Sequence, residues 1–335
     1  MKPIAVIILN WNGEALLKEF LPKVVATTPA DIADVVVADN GSSDGSRALL
    51  AEKFPEVKTI VFDKNYGYAE GYNRAIDAMD YKYTVLLNSD VATSYGWLRP
   101  LFDLMEAEPN VGACQPKIRS YRQPELFEYA GASGGFIDRN GFPFCRGRLF
   151  ATVEKDEGQY DSVRPIFWAT GAALMIRTEI YRKAGGLDPK FFAHMEEIDL
   201  CWRVLLLGFD IKAVPNGVVY HLGGGSLPAE SPRKTYLNFR NNLLLLHKNT
   251  PLSDRRKLLF RRRIYDTIAW AKFLLTFDFR NANAILRAHR DFRKMRSHYD
   301  TCPDINLLRT RPDCRRNIIA DYYMRRRRTF AEIER

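Results

Sequence analysis

The sequence predicts an α/β protein built on a mostly parallel sheet flanked by helices, with a helical extension toward its C-terminal end. Three observations carry this. Short apolar runs recur at 4–9, 35–38, 59–62 and 83–87, and each of the first three is followed by a stretch with helical spacing. Such alternation makes right-handed βαβ units and a parallel sheet. The first and fourth runs are continuous and apolar, as in buried strands. From about residue 233 the chain becomes helical, Arg-rich and amphipathic.

The elements follow in order. Residues 4–9 (IAVIIL) form the first strand and 15–25 a helix. Residues 35–38 (VVVA) form the second strand, closed by DNGSSDG at 39–45, and 46–54 the next helix. Residues 59–62 are a third strand and 71–79 a helix; 83–87 are the fourth strand, with a helix expected from near Tyr95. The stretch 110–190 is richer in Gly, Pro and aromatic residues and reads as strands and loops, with the glycines of KAGGLDP, 183–189, ending a helix. Residues 196–207 read as a helix, and 213–214 and 218–220 as short strands. We place the boundary at 232, between a body of residues 1–232 and a basic helical region, 233–335. A chain of 335 residues readily buries a core of this size.

Charge divides at the same place. Residues 1–232 carry 24 Lys and Arg against 30 Asp and Glu, and residues 233–335 carry 26 against 10. An acidic body with a basic extension points to an anionic partner for the extension. The five cysteines are odd in number and scattered, with no secretory signal ahead of the first strand, so reduced thiols in a cytosolic protein are expected. His298, Cys302 and Cys314 can be imagined around zinc, but their spacing fits no standard pattern.

No GxGxxG follows the first strand and no GxxxxGK[ST] occurs, so neither a dinucleotide fold nor a P-loop is supported. The strands instead end in amides and acids: Asn10-Trp11-Asn12, Asp39, Asn65-Tyr66-Gly67 and Asn88-Ser89-Asp90. Strand ends in open α/β sheets face the ligand crevice. There an Asp or Asn can pair with a base or ribose, and Trp11 can stack on a ring. Asp90 can hold a hard divalent ion against a nucleotide's phosphates; the alternative is a cap on the helix expected near Tyr95. Turn chemistry explains any one of these motifs, but less well four in register.

A second cluster opens the helix at 196. Glu196, Glu197 and Asp199 complement a helix N-terminus, and burial beside Met195 and aromatic residues would raise one carboxyl toward a useful general base. His221, after a short strand and before Gly223-Gly224-Gly225, is a candidate metal ligand, though a lone histidine is more often structural.

Taken together, VIILNWNG, VVVADNGSSDGS, NYGYAEGYNRAI, LLNSDV, WATGAALMIRTEIYRKAGGLDPKFFAHMEEIDLCWR, VYHLGGGS and YLNFRNNLLLLHKN, spread over roughly 1–250, resemble the family 2 glycosyltransferases. Within them the chain is similar to the rhamnosyltransferase-like branch that extends bacterial surface polysaccharides. The resemblance implies a GT-A fold and inverting transfer of a sugar, rhamnose in that branch, from a nucleotide-diphosphate donor such as a UDP- or dTDP-sugar. It implies that about 1–110 form the donor half and 111–232 the acceptor and catalytic half. Asp39 then contacts the base, with Asn65, Gly71 and Asn73 lining the donor pocket and Asn10, Trp11 and Asn88 beside them. Asp90 stands at the last position of the DXD-type motif that holds Mg²⁺ or Mn²⁺, and His221 completes the metal shell. Glu197 stands where many members have the Asp that acts as catalytic base. Trp168, Thr170 and Gly171 fall to the acceptor side. Two departures matter: Ser89 replaces an acid found in many relatives, and Glu at 197 lengthens the base, so that Glu196 or Asp199 can share the role. Lys234 and the loop 223–225 can close over the diphosphate or serve as plain connectors.

In the extension, Phe260, Ile264, Ile268, Ala271, Leu274 and Leu275 share one helical face, broadened by Trp270, Phe273 and Phe277. Lys272, Asp266 and Asp278 interrupt it, so it cannot span a bilayer. Such a helix can lie on an anionic membrane surface or pack against the body with a solvated basic face. The expected setting is the inner face of the cytoplasmic membrane, with a glycan or lipid-linked oligosaccharide as acceptor. A basic nucleic-acid-binding module is the rival from another class; the acidic crevice of the body argues against it. Within enzymes the rival is a sugar-nucleotide pyrophosphorylase, whose Gly-rich N-terminal signature is missing.

Overall fold

The computed structural model describes residues 2–128, 131–223, 231–299 and 302–334. Four strands lie parallel in the order β3-β2-β1-β4: β1 Ile4–Asn10, β2 Ala33–Asp39, β3 Lys58–Val61 and β4 Tyr83–Leu87. The helices Glu14–Thr27, Ser46–Lys53 and Tyr68–Asp77 fall between them. Register brings the C-terminal ends together, since Asn10 pairs with Asp39, Asp39 with Val61 and Ile8 with Leu87. Alternate residues of β1 enter opposite cores: Ile4, Val6 and Ile8 pack with Leu17, Leu21 and Val24, while Ala5 and Ile7 pack with Tyr72 and Ile76.

Beyond β4 the sheet is mixed. Strand Ala173–Arg177 runs antiparallel between β4 and Val111–Ser120, and Asp210–His221 then pairs parallel with Val111–Ser120. The two short strands expected at 213–214 and 218–220 are one strand with a register shift between Val214 and Val218. Pro215 cannot donate to the ladder, so pairing breaks there and resumes. Asp90 does not cap a helix. It is followed by the strand Val91–Thr93, which pairs with Val219–His221, and the next helix starts only at Arg99.

The C-terminal region packs on the body. Phe330 sits 5.0 Å from Phe136 and 6.3 Å from Phe144, ring centre to ring centre, and Asp138 Oδ2 accepts a hydrogen bond from Ile318 N at 3.1 Å. Helix Leu252–Leu275 buries Leu258 together with Arg262 and Asp266, joined at 2.7 Å, and leaves Phe260, Ile264 and Ile268 exposed. Among the described residues no helix is long and apolar enough to cross a membrane. The zinc arrangement imagined for His298, Cys302 and Cys314 does not form: no group of three His, Cys, Asp or Glu suited to a metal occurs among the described residues. All five cysteines are free thiols.

Candidate functional site

The strand ends build a polar shelf. Asn10 Nδ2 donates to Asp39 Oδ2 and Ser42 Oγ, both at 3.2 Å, and the Arg47 guanidinium reaches Asp39 Oδ1 at 2.8 Å. Asp39 is fully buried; burial alone would raise its pKa, but hydrogen bonds from Ser42, Arg47 and Asn10 hold it below the usual range. Its carboxylate therefore fixes the DNGSSDG turn, while Trp11 beside it stands 56 % exposed and open to stacking. Asn40 ties this turn to the next: it donates to Asn65 Oδ1 and Gly67 O, each at 3.0 Å. Gly71 lets helix Tyr68–Asp77 approach β1, because a Cβ there would lie 2.9 Å from Leu9 and 3.1 Å from Asn40 Nδ2.

Next along the edge, the Tyr68 hydroxyl lies 3.2 Å from Asn88 Oδ1 and 3.1 Å from Gly171 O. A Cβ on Gly171 would sit 2.8 Å from that hydroxyl and 3.7 Å from Glu197 Cβ, so Asn88, Tyr68, Gly171 and Glu197 meet in one corner. Pairing of Val91–Thr93 with Val219–His221 brings Asp90 against His221, Oδ1 to Nε2 at 3.1 Å. Glu128 approaches the other ring nitrogen at 3.5 Å, long for a hydrogen bond. Burial opposes the charged imidazole, but Asp90 and Glu128 outweigh it and push His221 up to about 10. Burial raises Asp90, and its bond to His221 more than reverses this.

The acidic helix begins under strain. Phe192, His194 and Met195 all have positive φ, at 66°, 67° and 75°, a conformation that costs about 1–3 kcal/mol per non-Gly residue and clusters at functional sites. Helix Pro232–Asn249 holds it in place. Asn241 Nδ2 lies 2.8 Å from Phe191 O, 2.8 Å from Ala193 O and 2.7 Å from His194 O, and Arg240 donates to Phe191 O at 2.8 Å and to Asn241 Oδ1 at 2.9 Å. The segment delivers Glu197 into the corner, where its Oε2 is buried with no hydrogen-bond partner. Burial pushes Glu197 up to about 7, hydrogen bonds from helix N–H groups moderating the rise. Glu196 is more buried, and burial with the Glu197 charge raises it well above the carboxylate range. Asp199 differs. Its oxygens take Arg203 and Lys248 on one side and Asn249 on the other, at 2.7, 2.9 and 2.8 Å, and these partners hold its pKa down against burial.

Lys234 lies at the start of the same helix; burial and the Arg148 charge lower its pKa while Glu128 raises it, and its own charge adds to burial in pushing His194 down to about 4. Buried polar atoms without a hydrogen-bond partner lie in this region: Asn10 Oδ1, His194 Nε2, Glu196 Oε2 and Glu197 Oε2. Such atoms are rare in folded proteins, and a water, an ion or a catalytic role accounts for many of them.

Several sequence-predicted residues are used elsewhere. Asn73 spans to Leu187 O at 2.8 Å and accepts from Leu187 N at 2.9 Å and Tyr181, so its amide straps a loop. Trp168 is buried, donating to Phe136 O at 2.9 Å, and Thr170 is buried with its N–H on Gln115. Of the loop 223–225, Gly224 and Gly225 lie outside the described residues. Tyr68, His194, Arg240 and Asn241 sit inside the quoted motifs without having been singled out. Glu128 carries no local signal at all, because strand pairing alone places it.

Known proteins are similar to this chain in sequence and in fold. The model of the family "Glycosyl transferase family 2" matches residues 5–173, half of the chain. An N-acetylglucosaminyl-diphospho-decaprenol L-rhamnosyltransferase of Mycobacterium tuberculosis is 27 % identical over 236 residues, covering 65 % of this chain and 75 % of the relative. Among solved structures, S. aureus TarS 1-349 in complex with UDP-GlcNAc superposes with a TM-score of 0.58 at 14 % identity, covering 87 % of this chain and 80 % of the other. Mannosyltransferase PcManGT from Pyrobaculum calidifontis, in complex with GDP-Man and Mn²⁺, gives 0.51 at 14 % identity, over 88 % and 75 %.

Proposed function

Because the chain belongs to glycosyl transferase family 2 and is a glycosyltransferase with the GT-A fold, we propose that it moves a sugar, with rhamnose the first candidate, from a UDP- or dTDP-sugar to a lipid-linked glycan with inversion. The observation that carries this reading is Glu197, a near-neutral carboxylate with an unpartnered oxygen in the corner formed by Asn88, Tyr68 and Gly171. An acceptor hydroxyl needs a positioned base whose pKa lies near the working pH. In the reaction Glu197 takes the acceptor proton as the oxygen bonds to the anomeric carbon. The bond from that carbon to the phosphate oxygen breaks, and its electron pair leaves with the diphosphate. Glu196, pushed well above the carboxylate range by burial and the Glu197 charge, and Asp199, spent on Arg203, Lys248 and Asn249, shape and anchor the helix instead.

Asp90 and His221 would hold Mg²⁺ or Mn²⁺. The Asp90 carboxylate and His221 Nε2, 3.1 Å apart, are donor types that would suit such an ion once the imidazole gives up its proton. When bound, the ion supplies positive charge against the leaving diphosphate. Lys234 adds a cation on the same side, Trp11 stacks on the base, and Asp39 acts by shaping the turn beneath it. In this division residues 1–110 serve the donor, 111–232 the acceptor and catalysis, and 233–335 the membrane side, at the cytoplasmic face. The lipid-diphosphate acceptor named for the mycobacterial relative supports that choice of acceptor, and the Mn²⁺ in the PcManGT complex supports the ion.

A thermal-shift panel of UDP-, dTDP- and GDP-sugars with and without Mn²⁺ tests the donor reading. One nucleotide sugar should raise Tm, and more so with Mn²⁺, as expected for a ligand of the folded state alone. No shift with any of them would end it. The strained segment yields a second expectation. Asn241→Ala should lower kcat by about 10²-fold with donor KM little changed, because it frees the 191–194 carbonyls and lets Glu197 move. An unaltered kcat in a folded variant would show that the segment holds its shape without Asn241.

A further inference from the structure

Helix Leu252–Leu275 faces the opposite way from what its amphipathic pattern would bury. Arg255, Leu258, Arg262 and Asp266 point inward. Phe260, Ile264 and Ile268 are 63 %, 48 % and 62 % exposed, and their i, i+4, i+8 spacing makes one continuous apolar stripe. Phe260 also lines a cleft of about 1070 Å³ between this helix and helices Pro232–Asn249 and Phe279–Met295.

The cleft is strongly cationic. Arg255, Arg256, Lys257, Arg263, Arg293 and Arg296 line it, no Asp or Glu does, and none of the six is ion-paired among the described residues. Arg255 is 8 % exposed, and its Nε is buried without a partner; His247 Nδ1, also on the lining, is in the same state. Burial and the charges of Arg255 and Arg296 push His247 down to about 4. The Arg255 guanidinium donates to Thr250 O at 3.3 Å, but no carboxylate lines the cleft to meet its charge; burying an unpaired charge is costly, and an anion seated in the cleft lowers that cost.

The cleft is not the donor site. On helix Pro232–Asn249, Asn241 and Lys248 face the catalytic segment and Asp199, whereas Leu243 and His247, which line the cleft, lie on the far side of the same helix. An anion beside a solvent-facing apolar stripe describes an amphiphile. We propose that this cleft binds the phosphate head group of an anionic membrane lipid while the Phe260–Ile264–Ile268 stripe enters the acyl boundary. Guanidinium groups pair with phosphate oxygens in bidentate fashion, and apolar side chains next to cations add hydrophobic to electrostatic attraction. The inference rests on the reading that the enzyme works at a membrane surface, and it assigns that surface a site.

Co-flotation of the full chain with phosphatidylcholine vesicles, with and without phosphatidylglycerol, tests it. The full chain should float only with the anionic vesicles. Arg256→Glu, Arg263→Glu and Arg293→Glu combined, all exposed positions, should lower binding by at least about 10-fold, since each basic group near an anionic surface contributes measurably. Phe260→Ser with Ile268→Ser should also weaken it. The matched triple reversal Arg280→Glu, Arg315→Glu, Arg326→Glu, exposed but outside the cleft, should lower it much less. Equal losses in the two triple variants would overturn the cleft while leaving membrane binding intact. No flotation of the full chain would overturn both the cleft and the membrane reading. Saturable binding of inorganic phosphate, abolished by the cleft reversals, without any vesicle binding would make the site one for a free anion and overturn the lipid assignment.

Discussion

Glu197→Gln is expected to lower transfer by at least ~10²-fold while nucleotide-sugar binding stays intact, because the amide keeps the shape of the corner but cannot accept a proton. The same change at Glu196 should cost much less. Burial and its neighbour's charge push the Glu196 carboxyl well above the carboxylate range, which makes it the harder of the two to ionise. The pH profile provides the sign. Glu197 must be ionised to act and titrates near 7, so kcat should fall about tenfold per unit below that value and level off above it. Rate measurements from pH 5 to 9 on the native chain and both variants would show the limb and its loss in Glu197→Gln. If Glu196→Gln proved the more damaging, the base would be Glu196.

Asp90→Asn should reduce turnover by about 10²–10³-fold, the range seen when one charge-stabilising group is removed from a transition state. The fold should survive, since an amide oxygen can still accept from His221 at the same place. Titrating donor with and without Mn²⁺ separates two roles. If Asp90 is a ligand, the metal dependence of donor affinity disappears. If the variant unfolds while the folded remainder turns over normally, Asp90 serves only as the structural partner of His221.

How much of this was legible in the sequence differs from part to part. The four parallel strands and their helices could be read within a few residues, because apolar runs and helical spacing are local properties. The strand-end motifs and the acidic cluster could be read for the same reason, and with them the candidates Asp90, Glu197 and His221. The antiparallel strand Ala173–Arg177 could not, because its apolar composition suits either direction of pairing. The helix expected after Asp90 failed for want of a partner: Val91–Thr93 is a strand only because Val219–His221 lies beside it.

The sequence by itself determined the class of fold, the family and the stock of chemical groups, since these follow from local pattern and residue type. Only tertiary structure decided which groups work together. Asp90 and His221 stand 131 positions apart, and strand pairing joins them with Glu128, which no motif announces. Asp199 and Glu197 are two residues apart on one helix, yet Lys248 and Asn249 from another helix neutralise the first and leave the second high and unpaired. Helix Leu252–Leu275 shows the same lesson in reverse. Its apolar stripe reads as a buried face, but Asn242 and His289 offer its Arg262 and Asp266 better partners, so the charges go in and the stripe stays out. Propensity and pattern are summed along the chain, whereas the pKa, pairing and exposure of a side chain are set by whatever the fold brings within a few ångströms of it.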